Sequence, residues 1–352
     1  MSDPPKTMQR YKELSINPQN DDIFFLFYTI KQYYLRYIVV VYRLKIAFLM
    51  AAMAFATEAM AQYDVLFSHY YDMETSFNPG AAGKETKMNI TAAYAMDLAG
   101  FEHNPQTAYV AADMPFMFLN RTNGVGLQFM NDKLGLFNHM RISAQYAYKH
   151  RLLGGMLSIG IQAGLLSESF DGTDLDVEET GDRALASSEV TGNGLDLGAG
   201  IYYSVKRFYV GVSAQHLTAP TIDLGNTNEL KIDRSYYATV GYAFKLRNPL
   251  LTLKTSAIGR YDGTNYRADV TARLVYTSEK KNLYGGLSYS PTNSITALVG
   301  MNIKGVNVGY SYEFYTSGLN PGNGSHELFV GYQMDINLVK KGKNLHKAVR
   351  TL

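Results

Sequence analysis

Apolar and polar residues alternate one by one along most of the chain from residue 62 onward. In the stretch "YRADVTARLVY", apolar residues occupy one set of alternate positions and polar or charged residues the other, with Ala268, Val270, Ala272 and Leu274 opposing Arg267, Asp269, Thr271 and Arg273. The stretches "GMLSIGIQAGLL", "NVGYSYEF" and "HELFVGYQMDI" repeat this alternation. A period of two places successive side chains on opposite faces of a strand, so the pattern predicts an all-β protein.

About fourteen segments carry the alternation, an even number as single-chain outer-membrane barrels have, and most have a length of about 8 to 12 residues, which suits a tilted strand that crosses a bilayer. We predict strands near residues 88–94, 106–112, 123–130, 139–149, 155–166, 195–204, 207–215, 236–245, 250–261, 266–277, 283–290, 295–303, 307–314 and 327–337. On a membrane barrel the apolar face would contact lipid and the charged face would line the lumen.

The connections between these segments alternate in length. Every second connection is tight, as in "HRLLG", "VKR", "RNP", "SEKK" and "KG", whereas several of the others are long, and "DMPFMFLNRT" is a long exception among the tight ones. Outer-membrane barrels have short periplasmic turns and longer external loops, an asymmetry that a soluble β-sandwich does not require. The sequence therefore favours an antiparallel outer-membrane β-barrel, with both ends of the mature chain in the periplasm.

The beginning of the chain contains the pattern of a secretory signal peptide. The stretch "RLKIAFLMAAMAFATEAMAQ" has a positive start, a short apolar core and small residues before a change to polar sequence. We predict a signal peptide over residues 43–61, with cleavage between Ala61 and Gln62. Residues 1–42 are either the product of a misplaced start codon or a genuine long extension, and the sequence leaves both open.

Composition removes several classes of function. The chain has 352 residues, a formal net charge of +2, 28 tyrosines and no cysteine. Disulfides, thiolate metal sites and cysteine nucleophiles are therefore excluded, and there is no basic stripe for nucleic acid. The sequence also lacks an HExxH pair and a Gly-x-Ser-x-Gly elbow, so we predict no enzyme and no cofactor. The many tyrosines suit the aromatic belts of a membrane barrel.

Two groups of charged residues are candidates for a site. The acidic stretch "FDGTDLDVEETGD", residues 170–182, lacks the spacing of a calcium loop and is typical of a solvated external loop, so we predict no metal. A second group falls on the polar faces of the predicted strands and would line the lumen: Arg141, Lys149, Arg267, Asp269, Arg273, Glu313 and Glu327. These charges form either a translocation path or, as is more common, pairs that plug the barrel.

The start of the mature chain, "AQYDVLFSHYYDMETSFNPGAAGK", resembles the PorP/SprF family through Ser68, Tyr70, Asn78, Pro79 and Gly83. The resemblance continues through "GVGLQFMNDKLGLFNHMRISAQYAYKHRL", "GIYYSVKRFYVGVSAQHLTAP" and "GSHELFVGYQ", so it covers nearly the whole mature chain. The Arg-x-Gln-Trp element that the family usually carries after its first strand is absent, because "AMDLAGFEHNP" stands there. We expect Asn78, Pro79 and Gly83 to be structurally required where the chain enters the barrel.

The resemblance implies a component of the type IX protein secretion system in the bacterial outer membrane. The partners it implies are the periplasmic ring subunits of that machine, a peptidoglycan-binding periplasmic protein, secreted adhesin cargo and membrane lipid. The predicted organisation is a periplasmic entry segment at 62–87, a transmembrane barrel at 88–338 and a basic periplasmic tail at 339–352, which is either a solvated end or a handle for a partner. The alternative function is an outer-membrane solute channel or a transporter of hydrophobic substrates.

Overall fold

The computed structural model of the protein describes residues 64–118, 121–172, 189–225, 228–278, 281–291, 293–317 and 323–336. The residues before position 64, including the predicted signal peptide and its cleavage site at Ala61 and Gln62, lie outside the described residues, as does the predicted tail at 339–352. Two short 3-10 helices, Glu74–Ser76 and Pro79–Ala81, precede the strands. In the described parts of the chain, no helix is long and apolar enough to cross a membrane.

Fourteen strands form one closed antiparallel barrel, which confirms the predicted fold and strand number. The barrel strands are β1 Lys87–Met96, β2 Gln106–Phe118, β3 Arg121–Leu134, β4 Phe137–Leu152, β5 Gly155–Phe170, β6 Val190–Val205, β7 Phe208–Gln215, β10 Ser235–Lys245, β11 Leu251–Tyr261, β12 Tyr266–Thr277, β13 Lys281–Ser290, β14 Ser294–Ile303, β15 Val306–Tyr315 and β16 Ser325–Asp335. Each strand pairs with its neighbours along the chain, and β1 closes the barrel on β16 with Lys87 opposite Asp335.

The two faces of the wall have the polarity that a membrane barrel needs. On β12, Val270 and Leu274 are 55% and 45% exposed on the outer face, whereas Asp269, Thr271 and Arg273 are buried on the inner face. Large apolar side chains are exposed in the same way on strands all around the barrel. Because the apolar face points outward and the charged face inward, the wall is the inverse of a soluble sandwich.

Connections on one end of the barrel are tight, and we call it the short-turn end; the opposite end is the long-loop end. The tight turns after β4 and β14 place Leu153 with Gly154, and Lys304 with Gly305, at positive φ. Two consecutive residues at positive φ are typical of a type I′ hairpin turn, in which glycine is favoured.

The connection "DMPFMFLNRT", predicted to be long, is in fact tight. The ladder of β2 and β3 continues until Phe118 lies opposite Arg121, which leaves two residues between the strands. The prediction ended β2 at residue 112 and began β3 at residue 123, because the apolar alternation is interrupted at Pro115. The backbones remain paired there, with Pro115 opposite Gly124, and the pairing continues beyond it.

A two-stranded sheet in the connection between β7 and β10 was not predicted. It consists of β8 Thr221–Leu224 and β9 Asn228–Lys231. Ile222 of β8 and Ile232, which directly follows β9, pack against Leu166 of β5, and all three side chains are buried. Strands of four residues are too short for alternation to reveal them, so the hairpin depends on this apolar contact.

Candidate functional site

The lumen of the barrel is occupied by residues 64–84, which we call the lumen segment. Its side chains or main chain contact inward-facing side chains of β2, β4, β7, β10, β11, β12 and β16 and the main chain of β6. His69 and Asn78 are completely buried within it. Asp64 contacts the long-loop ends of β10 and β11, and the segment then descends to the short-turn end, where β1 begins at Lys87.

This position differs from the predicted periplasmic entry segment at 62–87, since residues 64–84 lie between the walls of the barrel. The physical reason is that the polar groups of the segment match the polar inner wall, while Phe67 and Met73 form a small apolar cluster with Tyr109 and Phe329 of the wall. The prediction that both mature ends lie in the periplasm concerns residues outside the described ones. Among the described residues, Asp64 and Asp335 lie toward opposite ends of the barrel.

Asp64 forms the attachment at the long-loop end. Its carboxylate accepts a hydrogen bond from the Tyr237 hydroxyl at 2.7 Å and lies 3.0 Å from Nε2 of His216. Arg141 approaches the same carboxylate at 4.0 Å, and Arg260 donates to the main-chain oxygen of Asp64. Side chains from four different places on the wall thus converge on one residue of the segment, although sequence reasoning did not select it.

Asp64 and His216 form an ion pair at neutral pH. Burial raises the pKa of Asp64, but the positive charges of His216, Arg141 and Arg260 outweigh burial and hold it well below its usual value. Burial by itself would lower the pKa of His216, yet the Asp64 carboxylate and hydrogen bonds to Asp64 and Asp196 raise it to about 9. The attachment is therefore a charge-assisted hydrogen bond near pH 7.

Ser68, His69 and Tyr70 attach the segment to β11, β12 and β16. The main-chain N–H groups of Ser68 and His69 donate to the carboxylate of Glu327 at 2.6 and 3.1 Å, and Nδ1 of His69 lies 2.6 Å from the same carboxylate. The Tyr70 hydroxyl lies 2.9 Å from Ser256 and 3.1 Å from Thr271. Ser68 and Tyr70, two residues of the family resemblance, are therefore wall contacts.

Asn78, Pro79 and Gly83 determine how the chain turns inside the lumen. Asn78 caps the second short helix, since its side-chain oxygen accepts from the N–H of Gly80 at 2.9 Å, and its amide nitrogen donates to the carbonyl of Ile201 at 3.2 Å. Pro79 occupies the first position of that helix, where no N–H donor is needed. Gly83 has a φ of +61°, a conformation that favours glycine. The expectation that these three residues are structurally required remains a prediction, and these contacts support it.

The seven charges predicted to line the lumen all lie on barrel strands, and four of them contact the lumen segment. Arg141 reaches Asp64, Lys149 donates to the carbonyl of Gly83, and Glu327 binds Ser68 and His69. The guanidinium of Arg273 lies 3.1 Å from the centre of the Tyr71 ring and 3.7 Å from the carboxylate of Asp72. These charges thus bind a segment of the chain that sequence reasoning had placed elsewhere.

The other three predicted charges pair with one another. Arg267 lies 3.1 Å from Asp269 and 3.0 Å from Glu313, and Ser294 donates to Glu313. This group corresponds to the pairing of lumen charges that the sequence suggested, although it joins parts of the wall and not the wall to the segment. Four of the seven predicted charges therefore bind the lumen segment, and three form ion pairs within the wall.

Main-chain groups of the lumen segment are recognised by amide and hydroxyl side chains of the wall. Gln145 donates to the carbonyl of Thr75 at 2.8 Å, while Gln215 and Ser213 donate to the carbonyl of Phe77 at 2.8 and 2.7 Å. The chemistry of the lumen is thus the binding of an irregular peptide by polar side chains. In the described residues no group of three or more His, Cys, Asp or Glu is placed to hold a metal ion. The acidic stretch at 170–182 lies mostly outside the described residues.

Glycines on the inner wall mark where the lumen segment approaches most closely, and these glycines were the signal in the sequence that could have revealed it. A Cβ atom at Gly124 would overlap the carbonyl oxygen of Ala82, and one at Gly160 would overlap the main chain at Pro79 and Gly80. A missing side chain on the inner face of a strand indicates close approach of another backbone.

Replacing Gly124 by alanine is expected to weaken the attachment of the lumen segment, because the added methyl group would have to displace the main chain at Ala82. Overpacking of this kind costs about 1–3 kcal/mol. The measurement is the urea dependence of proteolysis within residues 64–84 in the purified, folded barrel. The matched control is Gly285→Ala on β13, where a Cβ would meet no atom within 4 Å. Equal protection of the two variants would contradict the close packing.

Comparison with known proteins assigns the chain to a family. The model of the family described as type IX secretion system membrane protein PorP/SprF matches residues 59–332. Omp33 of Acinetobacter baumannii is similar in structure with a TM-score of 0.43 and 9% identity, over 72% of this chain and 100% of that chain. The toluene transporter TbuX of Ralstonia pickettii has a TM-score of 0.46 and 14% identity over 75% and 92% of the two chains. The CymD monoaromatic hydrocarbon channel has a TM-score of 0.45 and 11% identity, over 78% of this chain and 94% of that chain.

No curated protein sequence matches the chain. The family model, however, matches well over half of it, including the lumen segment and most of the barrel, and so confirms the resemblance found in the sequence. The chain belongs to the PorP/SprF family of type IX secretion system membrane proteins.

Proposed function

We propose that this outer-membrane barrel acts in type IX secretion by binding other proteins and does not pass solutes through its lumen. Its partners in this proposal are the periplasmic ring subunits, a peptidoglycan-binding periplasmic protein and adhesin cargo that it helps to export or retain at the surface. The observation that carries the proposal is the lumen segment, which is bound on many sides by the wall. Because the lumen is occupied, the rims and loops of the barrel are the surfaces that remain for binding partner proteins.

The alternative, a solute channel or a transporter of hydrophobic substrates, needs a continuous path. The described residues leave a polar cavity of about 110 Å³ between the lumen segment and β1, β14, β15 and β16, lined in part by Asp72, Lys84, Asn89 and Asn307. The polar lining of this cavity does not suit a transporter of apolar molecules.

The experiment that tests the proposed function is affinity purification of the tagged protein from cross-linked native membranes, followed by mass spectrometry. An unrelated outer-membrane barrel serves as the control. We expect enrichment of secretion-ring subunits or of a large surface adhesin with this protein only. Recovery of the barrel without any of them, together with ion conductance in planar bilayers, would favour the channel instead.

The orientation that this function requires has the short-turn end in the periplasm, as short turns have in other outer-membrane barrels. The chain lacks cysteine, so a single introduced cysteine reports its own accessibility. We expect a membrane-impermeant maleimide to label Thr264→Cys, in the exposed connection after β11, on intact cells. The matched variant Asn248→Cys, in the exposed turn after β10, should be labelled only after the outer membrane is opened. The reverse labelling pattern would show that the short-turn end faces the outside of the cell.

A further inference from the structure

The short-turn end carries a ring of exposed positive charges. Each of its six connections has at least one basic residue at the turn or at the adjoining strand end, represented by Arg121, Arg151, Lys206, Arg247, Lys281 and Lys304. In the sequence these connections contain one acidic residue, Glu279, which is followed by Lys280 and Lys281, and the exposed Glu85 precedes β1 at the same end. At the seam of the barrel, Asp335 lies 3.1 Å from Lys87 and is thereby paired. We call this ring the basic rim.

The opposite end of the barrel has a different balance. Exposed acidic residues there include Glu102, Asp171, Asp223, Glu229 and Asp233. Basic residues also occur, but Lys231 lies 3.2 Å from Asp233 and is thereby paired. Positive charge in excess is therefore a property of one end of the molecule, and a general need for solubility does not explain it.

The cations of the basic rim are divided between the two faces of the wall and the turns. Side chains alternate between the two faces of a strand, so Arg151 shares the inner face with the buried Lys149. Arg121 faces outward, where it donates to the hydroxyl of the exposed Tyr148, and Lys281 lies on the outer face opposite the exposed Ile303. Lys206 lies in a turn beyond the last paired residues of its strands. The outward-facing Arg121 and Lys281 can reach lipid headgroups, whereas Arg151, on the inner face, is within reach of a partner that approaches along the barrel axis.

A groove lies between two neighbouring turns of the rim. It has a volume of about 400 Å³ and is lined by Arg151 and Lys206 together with the backbone of Gly154 and Gly155. Leu153, at the tip of the turn beside the groove, is 87% exposed. Two cations, a glycine backbone and an apolar tip provide a site for a carboxylate side chain that has an apolar neighbour.

We propose that the basic rim is a docking surface for an acidic face of a periplasmic protein subunit, and that the groove between Arg151 and Lys206 receives one of its carboxylates. Leu153 packs against an apolar residue beside that carboxylate. This inference rests on the proposed function, to which it adds the place of binding and the charge of the partner. The attraction between exposed charges steers association and weakens as salt shortens its range, which is about 10 Å at 0.1 M.

The test uses the full chain in native membranes, with a photo-cross-linking amino acid in place of Leu153. Irradiation is expected to join the barrel to a subunit of the secretion machine, at a segment that contains aspartate or glutamate. In the double variant Arg151→Glu with Lys206→Glu, the yield of this adduct should fall at least tenfold. It should return when the carboxylates of the mapped segment are changed to lysine. The matched control is Lys231→Glu with Arg234→Glu at the long-loop end, which should leave the yield unchanged.

The possible results separate the two proposals. If secretion subunits copurify with the barrel but the adduct does not depend on Arg151 and Lys206, the docking surface is wrong and the proposed function stands. Adducts with lipid alone also overturn the docking surface. If no secretion subunit is recovered from the folded protein by either method, the proposed function fails and this inference fails with it. Each variant must first show the gel shift of a folded barrel.

Discussion

Deletion of residues 64–83 is expected to turn a closed barrel into one that conducts ions. The deleted residues occupy the lumen and bind the wall from Asp64 at the long-loop end to Gly83 near the short-turn end. Without them, the inner wall would surround a water-filled path lined by charges such as Arg141, Arg273 and Glu327. In planar bilayers we expect the deletion variant to show a steady ion conductance, roughly tenfold or more above the residual conductance of the intact protein.

A second variant keeps the chain length and guards against failure of the deletion variant to fold. Asp64→Ala, His69→Ala and Asn78→Ala together remove three side-chain attachments of the lumen segment and leave every strand unchanged. We expect intermittent conductance, because a loosened segment leaves and re-enters the lumen. The control is Leu287→Ala, which alters a lipid-facing residue that is 62% exposed. A folded deletion variant that does not conduct would show that residues 64–83 are not what closes the barrel.

The second large effect is expected at Asp64, because its carboxylate is the anion for several buried groups. Asp64→Ala would leave the Tyr237 hydroxyl without this partner, would remove one of the two carboxylates that bind His216, and would remove the negative charge near Arg141. Breaking a buried ion pair by removing one member costs about 3–5 kcal/mol. We expect the free energy of unfolding to fall by that amount, measured by urea titration in lipid vesicles with circular dichroism as the signal.

Two further substitutions show whether charge and burial are the cause. Asp64→Asn keeps an oxygen that can accept from Tyr237, so its loss should be smaller than that of alanine. Asp233→Ala removes an exposed carboxylate that is paired with Lys231 at 3.2 Å, and exposed pairs contribute less than about 1 kcal/mol. If Asp64→Ala proves no more costly than Asp233→Ala, the cluster around Asp64 does not hold the lumen segment.

The barrel could be predicted from the chain because its signals are local. Alternation on β12 predicted that Asp269 and Arg273 face inward and Val270 outward, as observed. The strand ends were less accurate, since the ladder of β2 and β3 runs on to Phe118 and Arg121 after the alternation has stopped. Pairing of backbones depends on the neighbouring strand, and a single strand does not record it.

The occupied lumen could not be predicted in the same way. The sequence predicted seven lumen charges from their face, but it did not show that Arg141, Lys149, Arg273 and Glu327 bind residues 64–84. The resemblance to a family marked Ser68, Tyr70, Asn78, Pro79 and Gly83 as a group, without giving the contacts that each one makes. Asp64, which collects more attachments than any of these five, belongs to no pattern in the sequence.

The sequence by itself determined an outer-membrane barrel of fourteen strands, its polar lumen and its family, because side-chain alternation and tight turns are set by residues that are neighbours in the chain. Only the tertiary structure decided what fills that lumen. Ser68 and the carboxylate of Glu327 that it binds are separated by 259 positions, and closure of the barrel brings them together. A contact of that kind depends on which surfaces the closed wall presents, and no stretch of sequence records it.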